Sequence, residues 1–290
     1  MGNTGYEYKS APGRNTLSQA SSPGRTGRTR TGHIGGMAGV FLAVAFLAAG
    51  LLGAVQPATG IPDEVIQLTQ FGPALGVATA ALVWRTRIRS LLAGSLQGDR
   101  PSARSGLPLL FTAPLIIALC AGTYAIVTGD GHFTSPGTLR HSFPLIVVAQ
   151  FIGACGEEIG WRCFLQPLLR IRFGTFVSSV AVGLLWGVWH VQVFAQAPAY
   201  AGGFLLGSVS LSVVMGLALD RVRAWRLPLA GGFHALINLG MLLFMDEESG
   251  AVPPMVLFGA ASLVAALLWA WSTPARIHAS PETRTPNPVR

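Results

Sequence analysis

Residues 143–169 read FPLIVVAQFIGACGEEIGWRCFLQPLL, an apolar run of membrane-spanning length interrupted by Glu157, Glu158 and Arg162. An ionised side chain at hydrocarbon depth costs about 3 kcal/mol even on lenient insertion scales, so such a cluster is usually paired, functional or both. The run sets two questions: whether the rest of the chain also belongs in a membrane, and what surrounds these charges.

Hydrophobic residues make up 51% of the 290 and charged residues 11%, with a mean hydropathy of +0.51. That balance does not suit a soluble domain. About 20 apolar residues cross a bilayer as a helix. Eight such stretches are read, at 34–55, 65–84, 107–128, 143–169, two within 173–219 separated near Ala195-Gln196-Ala197-Pro198, 227–245 and 252–271. Strict alternation is missing from these runs, which removes a barrel as the spanning solution. The expected fold class is an all-α polytopic membrane protein, about eight transmembrane helices forming a bundle with a polar intramembrane chamber. Residues 1–33 and 273–290, rich in small polar residues, Arg and Pro, are expected to be disordered tails flanking a bundle of residues 34–272.

The basic residues test this count, because cytoplasmic loops carry the excess of Lys and Arg. Lys9, Arg14, Arg25, Arg28 and Arg30 precede the first stretch, and Arg85, Arg87, Arg89, Arg100 and Arg104 follow the second. Arg170 and Arg172 follow the fourth, Arg221, Arg223 and Arg226 the sixth, and Arg276, Arg284 and Arg290 the eighth. The alternate loops carry Asp63, Glu64, Asp130, Asp246, Glu247 and Glu248, and only Arg140 and Arg162 fall outside the pattern. A multi-pass protein of the cell membrane with both termini cytoplasmic is expected. The net charge of +8 follows from that topology. Nucleic acid is not an expected partner, since no recognition module accompanies the arginines, whereas anionic membrane lipids suit the basic tail. Cys120, Cys155 and Cys163 all fall in the spans, which argues against a disulfide framework and a Cys-rich zinc site.

The polar residues inside the spans form a short set: Glu157, Glu158 and Arg162 on the fourth, His190 on the fifth, His234 and Asn238 on the seventh. Helical spacing lets Glu158 pair with Arg162 and points His234 and Asn238 the same way. Glu157 is rotated about 100° from its neighbour and so takes a separate role. A carboxylate beside a neutral imidazole can polarise a water for attack on a carbonyl, with the carboxylate as general base. A His and an Asn suit the oxyanion that then develops. Two His and a Glu are equally a zinc ligand set, and a zinc ion on Glu157, His190 and His234 would activate water for the same hydrolysis.

Glu157-Glu158-Ile159-Gly160-Trp161-Arg162, Trp186-Gly187-Val188-Trp189-His190 and His234-Ala235-Leu236-Ile237-Asn238 resemble, in order, the EExxxR, FxxxH and HxxxN motifs of the CPBP intramembrane proteases. That family includes the CAAX prenyl endopeptidases and bacterial relatives linked to bacteriocin immunity, also called Abi. The resemblance covers residues 143–245, with one departure: Trp186 stands where the family usually has Phe. It implies an endopeptidase in which Glu157 activates water, His190 assists, and His234 with Asn238 stabilise the oxyanion. Glu158 and Arg162 are the supporting pair. It also implies a peptide or lipidated protein as substrate, and leaves open whether zinc takes part. Two other classes fit the same residues: a non-catalytic immunity or scaffold protein, and a proton-coupled carrier that uses the two glutamates as a relay.

Depth is the obstacle. Counted from the cytoplasmic ends of their spans at 1.5 Å per residue, Glu157, His190 and His234 lie roughly 18, 26 and 10 Å deep. Convergence requires either that the fifth helix begin below the membrane plane, or tilt with a break near Gly231-Gly232. The topology itself is checked by reporter fusions. Fusions after residues 97 and 172 should report a cytoplasmic location and fusions after 130 and 248 an external one, and the opposite pattern would refute the assignment.

Overall fold

The computed structural model describes residues 1–2, 24–97, 104, 106–220, 222, 224–245 and 250–273, with the side chains of the first helix described from residue 34. Most of the two expected tails and the acidic residues 246–248 lie outside the described residues.

The chain runs through α1 (Gly24–Thr59), a 3-10 turn at Leu68–Phe71, α2 (Gly72–Val83), α3 (Arg85–Leu92) and α4 (Leu107–Thr128). It continues through a 3-10 turn at Pro136–Thr138, α5 (Phe143–Gly160), a π-turn at Trp161–Leu165, α6 (Gln166–Arg170) and α7 (Thr175–Trp189). A 3-10 turn at Val191–Ala195 leads to α8 (Pro198–Leu219), α9 (Arg226–Phe244) and α10 (Val252–Ser272). No strand occurs among the described residues. The first helix begins at Gly24, ahead of the expected start at residue 34.

All eight expected stretches are helical, and six are long and apolar enough to cross a membrane. The other two are shorter, for different reasons. Pro73 cannot continue a helix inward from its N-terminal side, so the second stretch opens as a 3-10 turn and α2 begins only at Gly72. Its 12 residues reach about 18 Å, against roughly 30 Å of hydrocarbon. Helix α7 stops at Trp189 because His190 leaves helical geometry, at φ −77° and ψ 62°. A short amphipathic helix, α3, fills the first basic loop, with Arg85, Arg87 and Arg89 outward and Ile88 buried.

Large apolar side chains such as Leu47, Leu82, Ile126 and Leu267 point out of the bundle, as lipid-facing positions require. Between helices the contacts are made by small residues, which let backbones approach closely in the absence of a hydrophobic drive. Gly203 of α8 lies against the backbone of Met255 and Val256 on α10, and Gly183 of α7 against Val209 and Ser212 of α8. Ser212 donates to the Ser179 carbonyl at 2.7 Å across that second seam. Gly76 of α2 sits on the Phe41 backbone of α1, and the Trp189 indole donates to the Ala45 carbonyl at 3.2 Å, which ties α7 to α1.

Two features bring the polar residues to one depth. In the α5–α7 corner, Gln166 donates to Ser179 at 3.0 Å. Beyond it, Glu157 and Trp186 lie about 20 and 17 Å from the corner along their own helices, so they face each other. The second feature is the start of α9. Its Gly231 lies against Cys155 and its Asn238 against Gln150, so contacts move towards the start of α5 as α9 proceeds, and the pair is antiparallel. Arg226 therefore begins α9 beside the end of α5, on the order of 15 Å short of Arg170. The first amides of α9 are met there by the turn after α3, with Leu227 donating to the Ser95 carbonyl at 2.9 Å. The Arg226 guanidinium bonds the Leu91 and Ala93 carbonyls, both at 2.8 Å. The expected break at Gly231-Gly232 is not present, and α9 is continuous through both glycines. Their role is close approach: a Cβ at Gly231 would stand 2.5 Å from the Cys155 sulfur.

Gly231→Val should therefore wedge α9 from α5 and cost about 1–3 kcal/mol, read as a lower unfolding temperature in detergent. Gly122→Ala, where a Cβ meets nothing within 4 Å, is the control. Equal stability of the two variants would refute the packing account.

Candidate functional site

Helix α5 ends at Gly160 in a π-turn, and the cause is local. Pro167, in the first turn of α6, supplies no N–H to the turn before it. The chain widens so that the Gln166 N–H reaches back to the Trp161 carbonyl. Glu157 and Glu158 occupy the last regular turn before this bulge, and Arg162 lies within it.

Glu158 is fully buried and binds two partners. Its Oε2 is 3.2 Å from Arg162 Nε, one turn on, and its Oε1 is 2.9 Å from His234 Nδ1 on α9. The Arg162 guanidinium is also buried, with Cζ 4.4 Å from the centre of the Trp186 ring. Its nitrogens make no aligned hydrogen bond among the described residues, so it is held by Coulomb attraction to the carboxylate and by the face of the indole.

Glu157 has different company. Its Oε2 accepts a hydrogen bond from the Trp186 indole N–H at 2.7 Å, and it forms no ion pair among the described residues. His190, at the end of α7, donates Nδ1–H to the Trp186 carbonyl at 2.9 Å. That places its proton on Nδ1 and leaves the Nε2 lone pair for other work. The His190 ring packs edge-on against Trp189 at 4.9 Å and Phe204 at 5.0 Å. The His234 ring stands 5.2 Å from Trp186. Asn238 donates to Gln150 on α5 at 3.0 Å.

The structure thus gathers Glu157, Arg162, His190 and His234 around a single indole, with Glu158 bound to Arg162 and His234, and Asn238 one turn beyond His234. Trp161, Trp186 and Trp189 are all buried here, although interfacial anchoring is the ordinary expectation for tryptophans near span ends. Two contributions were not drawn from the sequence. Gln150 lies two turns before Glu157 on the same face, and its amide in an apolar run was the available signal. The N–H of Trp186 was visible too, in the departure from Phe, but it reads as simple packing until its partner is known.

A zinc ion on Glu157, His190 and His234 would need three ligand atoms about 2.0–2.2 Å from one point. Among the described residues, no group of three His, Cys, Asp or Glu gathers in that way. The set as placed does not fit the ion, and no step is derived through one. The three cysteines are free, and Cys120 donates weakly to the Pro254 carbonyl at 3.6 Å.

Residues 139–240 match the family model described as type II CAAX prenyl endopeptidase, Rce1-like, and every residue of the cluster falls inside that range. Lysostaphin resistance protein A of Staphylococcus haemolyticus is 24% identical over 73% of this chain and 58% of that protein. The proteins of the same name from Staphylococcus aureus strain MRSA252 and Staphylococcus epidermidis strain ATCC 35984 are 25% and 26% identical, over 50% and 55% of their lengths. The chain therefore spans about half the length of the curated relatives it matches. The region that carries all three polar motifs is therefore similar to the Rce1-like type II CAAX prenyl endopeptidase family, and the chain has homologues named lysostaphin resistance protein A.

Proposed function

We propose that this chain is an intramembrane endopeptidase in which Glu157 activates a water for attack on a peptide carbonyl. The observation that carries the reading is the division between the glutamates: Glu158 takes the ion pair with Arg162 and the bond to His234, and Glu157 is left with a neutral donor. A carboxylate that is desolvated, anionic and not committed to a cation is what a general base requires.

In the first step the water, held between Glu157 and His190 Nε2, gives a proton to the carboxylate as its oxygen attacks the carbonyl carbon. The tetrahedral oxyanion faces His234 Nε2 and the second N–H of the Asn238 amide. Because His234 Nδ1 is bound to Glu158, its Nε2 is the nitrogen available to the reaction, and as an imidazolium it donates. With His234 in that form, the two carboxylates are balanced by one guanidinium and one imidazolium, so the resting cluster carries no net charge. Glu157 then returns the proton to the leaving amine as the C–N bond breaks, which restores the carboxylate. The substrate is a membrane-associated peptide or lipidated protein, since a chamber closed by membrane helices is reached from the bilayer or its surface.

The test uses the purified full chain in detergent with a fluorogenic peptide ending in a farnesylated cysteine and three further residues, beside its unprenylated counterpart. Glu157→Gln should lower kcat by about 10³-fold or more while the protein remains folded. Undiminished cleavage would sink the assignment. Chelator should leave the wild-type rate unchanged, whereas loss restored by zinc would move the chemistry to a metal. Glu158→Gln should behave differently: it strips a buried cation of its partner, and the variant should lose about 3 kcal/mol of stability, seen as a lower unfolding temperature. If Glu158→Gln were as stable as the wild type, the structural role given to Glu158 would be wrong.

A further inference from the structure

Trp186 touches more of the site than any catalytic assignment explains. Its indole N–H bonds Glu157 at 2.7 Å, its carbonyl holds His190 Nδ1 at 2.9 Å, and its ring lies under Arg162 and edge-on to His234. A phenylalanine, the residue usual at this place in the motif, would keep the carbonyl and one aromatic face. It would lose the N–H and the volume of the second ring. Of the four contacts, the bond to Glu157 is the one this chain has because the residue is Trp.

We infer that Trp186 is a positioning residue for the base, whose indole N–H fixes the Glu157 carboxylate through Oε2 and presents Oε1 to the attacking water; this rests on the reading of Glu157 as the base. The chemistry of indole suits the task. It is a donor with no acceptor site, so it can hold a carboxylate but cannot take the proton that Glu157 must collect and return. A bond from a neutral donor to an ionised acceptor is short and strong in a dry site, and the 2.7 Å separation agrees with that. The indole is itself immobilised, 5% exposed and wedged between Arg162 and the two imidazoles, so little freedom passes to the carboxylate. Sub-ångström placement of a base relative to its water is worth large factors in rate. No other described residue hydrogen-bonds the Glu157 side chain, so the rotamer depends on this contact.

The test separates the N–H from the ring. Trp186→Phe, and replacement of the indole by benzothiophene with sulfur in place of the N–H, should each lower kcat about 10- to 100-fold, with KM within about twofold of wild type. A substrate-independent arm measures unfolding temperature in detergent. The benzothiophene replacement, which keeps the ring volume, should lower it in the wild-type background and have little effect in a Glu157→Ala background, where the acceptor is gone. Wild-type kcat in both Trp186 variants, with Glu157→Gln inactive, would overturn the positioning role and leave the base assignment intact. An inactive Phe variant beside an active benzothiophene variant would assign the effect to ring shape and also overturn it. Additive unfolding shifts would deny the bond itself. An active Glu157→Gln would remove the base, and this inference with it.

Discussion

Two carboxylates cannot stay adjacent and ionised at membrane depth without compensation, and the buried Arg162 guanidinium is where this protein supplies it. Taking each charge out of water costs several kcal/mol, which attraction repays only when opposite charges are close and fixed. Arg162 is close to Glu158 because the two are one turn apart, and it is fixed because the Trp186 ring lies against it. His234 bonds the same carboxylate from α9, at 2.9 Å. Much of the surrounding architecture is needed to keep these groups at one level.

That requirement explains irregularities that would otherwise be costs. The π-turn after Gly160 widens the helix where Arg162 must turn inward. The early end of α7 frees the His190 ring to bond the Trp186 carbonyl one turn back. The raised start of α9 needs the α3 turn beneath it to satisfy its first amides, and the glycine contacts bring α9 close enough to α5 for His234 to reach Glu158. Irregular backbone at depth is tolerated when protein rather than lipid surrounds it, and the π-turn residues Trp161–Leu165 are all buried.

Most of the bundle was legible in advance, because helix count depends on one-dimensional quantities: apolar run length, breaks at proline and the alternation of arginine between loops. The 173–219 stretch divides near Ala197-Pro198, since proline there starts a helix more readily than it continues one. The shortness of α2 and the added helix α3 were less visible. Apolar composition does not say whether a segment crosses the bilayer or enters it and turns, and an arginine-rich octet reads as loop until its buried Ile88 face has a partner. Of the candidate site, the pairing of Glu158 with Arg162 follows from helical spacing alone.

By itself the sequence determined the all-α membrane architecture, the identity of the polar cluster and the separation of Glu157 from Glu158, because each rests on local periodicity or on the cost of charge in hydrocarbon. Only the tertiary structure decided which partners the cluster finds. That His234 reaches Glu158, that Asn238 reaches Gln150 and that the Trp186 N–H closes on Glu157 depends on the vertical offset between α5, α7 and α9. Those offsets are set by corner lengths and by glycine contacts between helices distant in sequence. A motif read along one chain carries no information about either.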